Sequence, residues 1–207
     1  MAETVTDTVI GPDGRARCRW SAAAPDFLDY HDREWGFPVG DDIRLFEKLC
    51  LESFQSGLSW RTILAKREAF RAAFAGFDFE KVAGFGEADI ARLLADQGIV
   101  RHRGKIEAVI NNARKACDLA GREGSLGAFL WRYEPPEAAL GPPQSASSSP
   151  ASEALSKELK RRGWKFVGPV TVYAFMQAMG LINDHATGCA LRPAAEKARA
   201  GFVRPGR

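Results

Sequence analysis

From Asp41 to Gly180 the apolar residues of this chain recur at every third or fourth position, and nowhere do they alternate over a useful length. A period near 3.6 lays side chains along one face of a helix, whereas a strand needs a period of two. Such a chain closes a core by packing helix against helix. DDIRLFEKLCLESFQ reads as one helix, capped by Asp41 or Asp42, with Leu45, Phe46, Leu49 and Cys50 facing inward and an end near Gly57. Ser59 is placed to cap a second, in which Ile63, Leu64, Phe70 and Phe74 point inward. EADIARLLAD makes a third before Gly98, and a fourth starts around Gly104 with Ile106, Val109, Ile110 and Ala113 on one face. Ser152 then caps a helix ending at Gly163. KFVGPVTVYAFMQAMG supplies another, with Pro169 in its first turn and Gly180 just past its last. Its VTV at 170–172 is the one stretch that also suits a strand.

At 207 residues and 45% hydrophobic, the chain can bury one real core. Residues 15–190 are expected to form that single domain, with 1–14 a disordered extension and 191–207 a tail. EPPEAALGPPQSASSSPAS, at 134–152, reads as a mobile, solvated loop. No apolar run reaches the roughly 18 residues of a membrane span, and the start lacks the pattern of a signal peptide, so the expected location is the cytoplasm. There, four scattered thiols (Cys18, Cys50, Cys117 and Cys189) are better read as buried side chains or metal ligands than as disulfides. A formal net charge of +3 permits binding to a polyanion without demanding it.

Three groups of residues could carry chemistry. Cys18 precedes His31 by thirteen positions, and His185 and Cys189 lie four apart, so the two pairs could meet as a closed Cys2His2 tetrahedron; they could equally be unrelated core residues. Glu52 falls beside the apolar stripe of its helix, where a carboxylate either reaches water at the rim or serves a ligand. Tyr30, Trp35 and Trp60 are flat rings near that acid, the combination a stacked heteroaromatic base would need. Finally, QGIVRHRGK is a short hairpin between two helices. Its glycines, Gly98 and Gly104, expose backbone N–H groups beside Arg101, Arg103 and Lys105, an arrangement suited to a nucleic-acid phosphate. A second basic run, KELKRRGWK, follows at 157–165.

CRW at 18–20, YHDREWG at 30–36, LFEKLCLESFQSGLSW at 45–60, GIVRHRGKI at 98–106, SKELKRRGWKFVGP at 156–169 and VYAFMQAMGLINDHATGC at 172–189 together resemble the bacterial 3-methyladenine DNA glycosylase I family. The resemblance implies an all-α helix-hairpin-helix fold and one structural Zn2+ held by Cys18, His31, His185 and Cys189. It implies that Glu52 reads a flipped base while Tyr30 and Trp60 stack on it and Trp35 encloses it. The implied reaction is monofunctional hydrolysis, because the family lacks the aspartate near the sugar and has no lysine nucleophile in its pocket. Duplex DNA with alkylated bases is the implied partner, 3-methyladenine the product, and a monomer the expected state. Asp118 reads as an exposed helix-end acid, not a substitute aspartate. Asp184 reads as a contact that orients a metal-bound imidazole. The rival readings are a protein that binds alkylated DNA without cleaving it, and a zinc hydrolase with an open metal position.

Overall fold

Asp42–Gln55, helix α2, organises the molecule, because every residue from Leu45 to Phe54 is buried. A helix covered on all sides must also find partners for its polar residues. Ser53 Oγ donates to the carbonyls of Leu49 and Phe166, and Glu47 pairs with Arg71 at 2.8 Å. The computed structural model describes residues 7–206. Around α2 lie α1 (Pro25–Arg33), α3 (Trp60–Ala65), α4 (Arg67–Ala73), α5 (Phe79–Ala83), α6 (Glu87–Ala95), α7 (Arg103–Glu123), α8 (Leu126–Leu130), α9 (Pro150–Arg161), α10 (Pro169–Ala178) and α11 (Arg192–Gly201). The VTV stretch belongs to α10. Among the described residues, no helix is long and apolar enough to cross a membrane.

The caps explain the boundaries. Asp41 accepts from Arg44 N–H and starts α2, while Asp42 reaches across to accept from Leu126 and Gly127 N–H at the start of α8. Ser59 caps α3 by accepting from Thr62 N–H. The helix expected to run on from there breaks at Lys66 into α3 and α4, with Ile63, Phe70 and Phe74 fully buried. Ser149, not Ser152, caps α9: Ser149 Oγ accepts from Ser152 N–H, and Ser152 Oγ accepts from Ser149 N–H in return.

Two segments differ from the sequence reading. Residues 1–6 lie outside the described residues, but Thr8–Ile10 (β1) pairs antiparallel with Ala16–Cys18 (β2), so the extension is ordered from at least Asp7 onward. Three-residue strands are too short to show alternation. The segment after residue 190 forms α11 and docks: Glu134 receives Arg199 at 3.1 Å and Arg204 at 2.8 Å, and Phe202 packs on Trp131. The Pro/Ser loop is likewise pinned, with Gln144 N–H donating to Asp184 Oδ1.

Candidate functional site

A cleft of about 360 Å³ opens beside α2, and its walls include Tyr30, Trp35, Glu52 and Trp60. The structure thus brings together the four residues that the sequence singled out for a base pocket. Glu52 does not reach solvent along the rim; it is only 6% exposed. Tyr30 and Trp60 sit with ring centroids 5.3 Å apart, tilted by 43°. Trp20 and Phe27 extend the aromatic wall, Trp20 meeting Trp35 edge-on at 5.0 Å. Gln55, Gln144 and Gln177 add amides.

The sequence reading did not find Lys48. One helical turn before Glu52, its ammonium lies 2.8 Å from Glu52 Oε1, donates to the Tyr30 hydroxyl at 2.6 Å, and sits 3.5 Å from the Trp60 ring centroid. Burial pulls this ammonium below its ordinary range, and the neighbouring Glu52 pulls the other way. Lys48 does not line the cleft; it backs the three residues that do. Burial also pushes the Tyr30 phenol well up, so the hydroxyl keeps its proton.

Asp184 has a different task from the one expected. Its carboxylate accepts from Gln144 N–H and from Gln177 Nε2, so it holds two pocket-lining glutamines rather than an imidazole. Burial raises its pKa against those hydrogen bonds. The histidines are oriented by other groups. His31 Nδ1 meets Asp32 Oδ1 at 2.8 Å, and Asp32 is gripped by Arg17. His185 Nδ1 meets Asn183 Oδ1 at 2.9 Å.

Beside the cleft, Cys18, His31 and Cys189 form a buried cluster whose ligand atoms all lie within 4.8 Å of one another and could hold a metal ion. It joins the end of β2 and α1 to the segment after α10. The Cys18 thiol donates to the Cys189 sulfur, which raises the pKa of the first and lowers that of the second. His185 is not one of this trio, but its ring lies 5.0 Å from that of His31, and its Nε2 is buried without a partner. Burial lowers its pKa to about 4, with His31 adding to the effect. Gly36 allows this approach: its φ is +84°, and a Cβ there would sit 2.5 Å from His185 Cε1. Replacing Gly36 by alanine should therefore cost about 1–3 kcal/mol of stability in denaturant unfolding, from positive-φ strain and a displaced imidazole.

The hairpin between α6 and α7 matches the expected phosphate grip only in part. Lys105 is buried, and its ammonium donates to the carbonyls of Phe54 and Ser56 at 2.9 and 2.5 Å. It is a cation set against the C-terminus of α2, where orphan carbonyls and the helix dipole favour one, and it is unavailable to DNA. Burial lowers its pKa. The Gly98 N–H is taken by Asp96, and the Lys105 N–H by His102 Nδ1, which caps α7. Arg103 pairs with Glu107 and Glu87 at the surface, and Arg101 is exposed. Asp118 is exposed on α7.

The methyladenine glycosylase family matches residues 20–192. DNA-3-methyladenine glycosylase 1 of Escherichia coli K12 is 47% identical over 181 residues, covering 86% of this chain and 97% of that protein. DNA-3-methyladenine glycosylase of Haemophilus influenzae is 42% identical over 177 residues, covering 84% and 96%. Among solved structures, 3-methyladenine DNA glycosylase I from Staphylococcus aureus superposes with a TM-score of 0.80 at 41% identity, covering 86% of this chain and 96% of that one. Matched across most of its length, and identical to a relative at nearly half of the aligned positions, the chain belongs to the methyladenine glycosylase family.

Proposed function

We infer that this protein is a DNA-3-methyladenine glycosylase, which extrudes the damaged nucleotide from duplex DNA and releases 3-methyladenine as the free base. The observation that carries this reading is a buried carboxylate, Glu52, set beside the rings of Tyr30 and Trp60 in one cleft. A base inside a duplex cannot reach such a carboxylate, so it must leave the stack, at a cost lower for a damaged pair. Tyr30 and Trp60 then replace the lost stacking, Trp35 closes the wall, and Glu52 accepts hydrogen bonds from the base.

A purine methylated at N3 is cationic while attached to its sugar. When the bond from the base to C1′ breaks, the electron pair stays with the base, which departs neutral. Water supplies the oxygen that joins C1′ and gives up a proton. The reaction is hydrolysis without a covalent enzyme intermediate: Lys48 lies behind Glu52 and Tyr30, and Asp118 is far too exposed to serve as a buried acid. The test is to incubate the protein with methylated duplex DNA and identify the released bases by chromatography. Free 3-methyladenine supports the reading, whereas tight binding to the lesion with no release would make the protein a recogniser only.

The donor set also fits zinc. Asp32 and Asn183 each engage the Nδ1 of a histidine, so both Nε2 lone pairs are left for a metal, and the orphaned His185 Nε2 is a buried acceptor that a metal would satisfy. Two thiolates and two imidazoles make the usual closed zinc shell. Zn2+ held by Cys18, His31, His185 and Cys189 would clasp the two ends of the fold and leave no position for water, which separates this reading from a zinc hydrolase.

Of the hairpin cations, Arg101 and Arg103 are the ones offered to phosphate, since exposed pairs such as Arg103 with Glu107 contribute little and exchange readily. Replacing both by alanine should weaken binding to damaged and undamaged duplexes alike. The log–log salt slope should fall by about one unit for each lost phosphate contact, read by titration at several salt concentrations.

A further inference from the structure

We propose that Lys48 is a positioning residue for base release: it fixes Glu52 as an ionised acceptor and keeps the wall of the pocket electrically neutral. The argument rests on the reading of Glu52 as the base-contacting carboxylate and extends it to a residue outside the cleft.

The charges around Lys48 are already apportioned. Glu34 is held by Arg67 through two hydrogen bonds of 2.6 and 2.9 Å, and Glu47 is held by Arg71. Arg44 lies 3.8 Å from Glu34. Among the described residues, Lys48 is therefore the only cation paired with Glu52, and both are almost fully buried, with side-chain exposures of 6% and 5%. One carboxylate oxygen, Oε1, is spent on Lys48. The other, Oε2, has no protein partner and belongs to a residue that lines the cleft. Tyr30 accepts from Lys48 through its oxygen, which leaves its hydroxyl hydrogen free to donate. One ammonium thus sets the polarity of both polar groups in the pocket.

It also addresses a problem of charge. A bare buried carboxylate attracts a cationic nucleotide more strongly than the neutral base that departs, which deepens the ground state and slows release. With Lys48 behind it, Glu52 contributes directional hydrogen bonds without that excess attraction. Remove the ammonium, and Glu52 becomes a lone buried carboxylate that takes a proton more readily.

The experiment compares pH–rate profiles of 3-methyladenine release for the wild type, Lys48→Met, Lys48→Gln and Glu52→Gln, each checked for fold by circular dichroism. Glutamine keeps an amide donor near Tyr30 and Glu52 but carries no charge. We expect both Lys48 variants to fold, to lose about tenfold in kcat without a rise in KM, and to shift the acid limb of the profile to higher pH. Adding Lys48→Met to Glu52→Gln should cost little more, because Lys48 acts through that carboxylate. A wild-type acid limb in the folded Lys48 variants would overturn the proposal, as would failure of both to fold, which would mark Lys48 as a strut of the core. If instead Glu52→Gln retains full activity, the base-contacting role of Glu52 fails first. An impaired Glu52→Gln beside unaltered Lys48 variants would leave that role intact and remove Lys48 from it.

Discussion

Glu52→Gln should fold like the wild type, retain its metal content and lose about a hundredfold or more in the rate of 3-methyladenine release. The substitution keeps the shape of the side chain and changes two things. It removes the negative charge that Lys48 neutralises across 2.8 Å, and it turns one acceptor oxygen into a donor. Both changes fall on a residue 6% exposed, where an unmatched hydrogen bond carries its full desolvation cost. The lysine is left as a buried ammonium without a counter-charge, so it releases its proton more easily, and only a modest loss of stability should follow. The measurement is single-turnover release from methylated duplex DNA at saturating enzyme, with bases identified chromatographically. A rate within a factor of a few of wild type would show that stacking and extrusion suffice for so labile a bond. A large loss with unchanged DNA affinity places the effect of Glu52 after binding, on the departing base.

Much of this site could be read before folding because its residues are unusual for their positions. Glu52 beside an apolar stripe, indoles at 35 and 60, and cysteine–histidine pairs at both ends of the chain each break a local rule, and such breaks collect at functional sites. Helix positions followed from period and caps, with Asp41 and Ser59 placed as expected. What stayed hidden depended on tertiary packing. Lys48 looks like any charged residue flanking a stripe until other helices wrap α2 on every side. Lys105 belongs by composition to a basic run, yet its long side chain turns back to the carbonyl end of α2, a partner about fifty positions away. Asp184 and Asn183 are adjacent, and only the fold shows that the amide, not the acid, meets His185. The Pro/Ser loop has the composition of a solvated segment, but Gln144 anchors it at the cleft.

Cys189→Ala should abolish stoichiometric zinc and lower the thermal midpoint steeply while leaving the base-contacting side chains themselves untouched. Without that sulfur, Cys18 loses the acceptor of its thiol, His31 Nε2 loses its neighbour at 3.5 Å, and the orphaned Nε2 of His185 has no metal to satisfy it. Leaving buried ionisable groups uncompensated costs roughly 3–5 kcal/mol. In a domain of this size that corresponds to about 6–20 °C in Tm. The damage should concentrate where the clasp acts, between the β1–β2 ribbon with α1 and the segment after α10, and be readable as faster amide exchange there than in α2 or α7. Tyr30 precedes His31 directly, and Trp20 and Trp35 pack on the same imidazole at 5.3 and 6.3 Å, so loosening the clasp also loosens one wall of the cleft. Release of 3-methyladenine should consequently survive at low temperature and fail on warming, in step with unfolding. An open catalytic metal would behave otherwise: chelation would stop turnover at every temperature, well before the fold gave way. Measuring zinc by elemental analysis, Tm by calorimetry and release at two temperatures separates the two, because only a clasp ties activity to the melting curve.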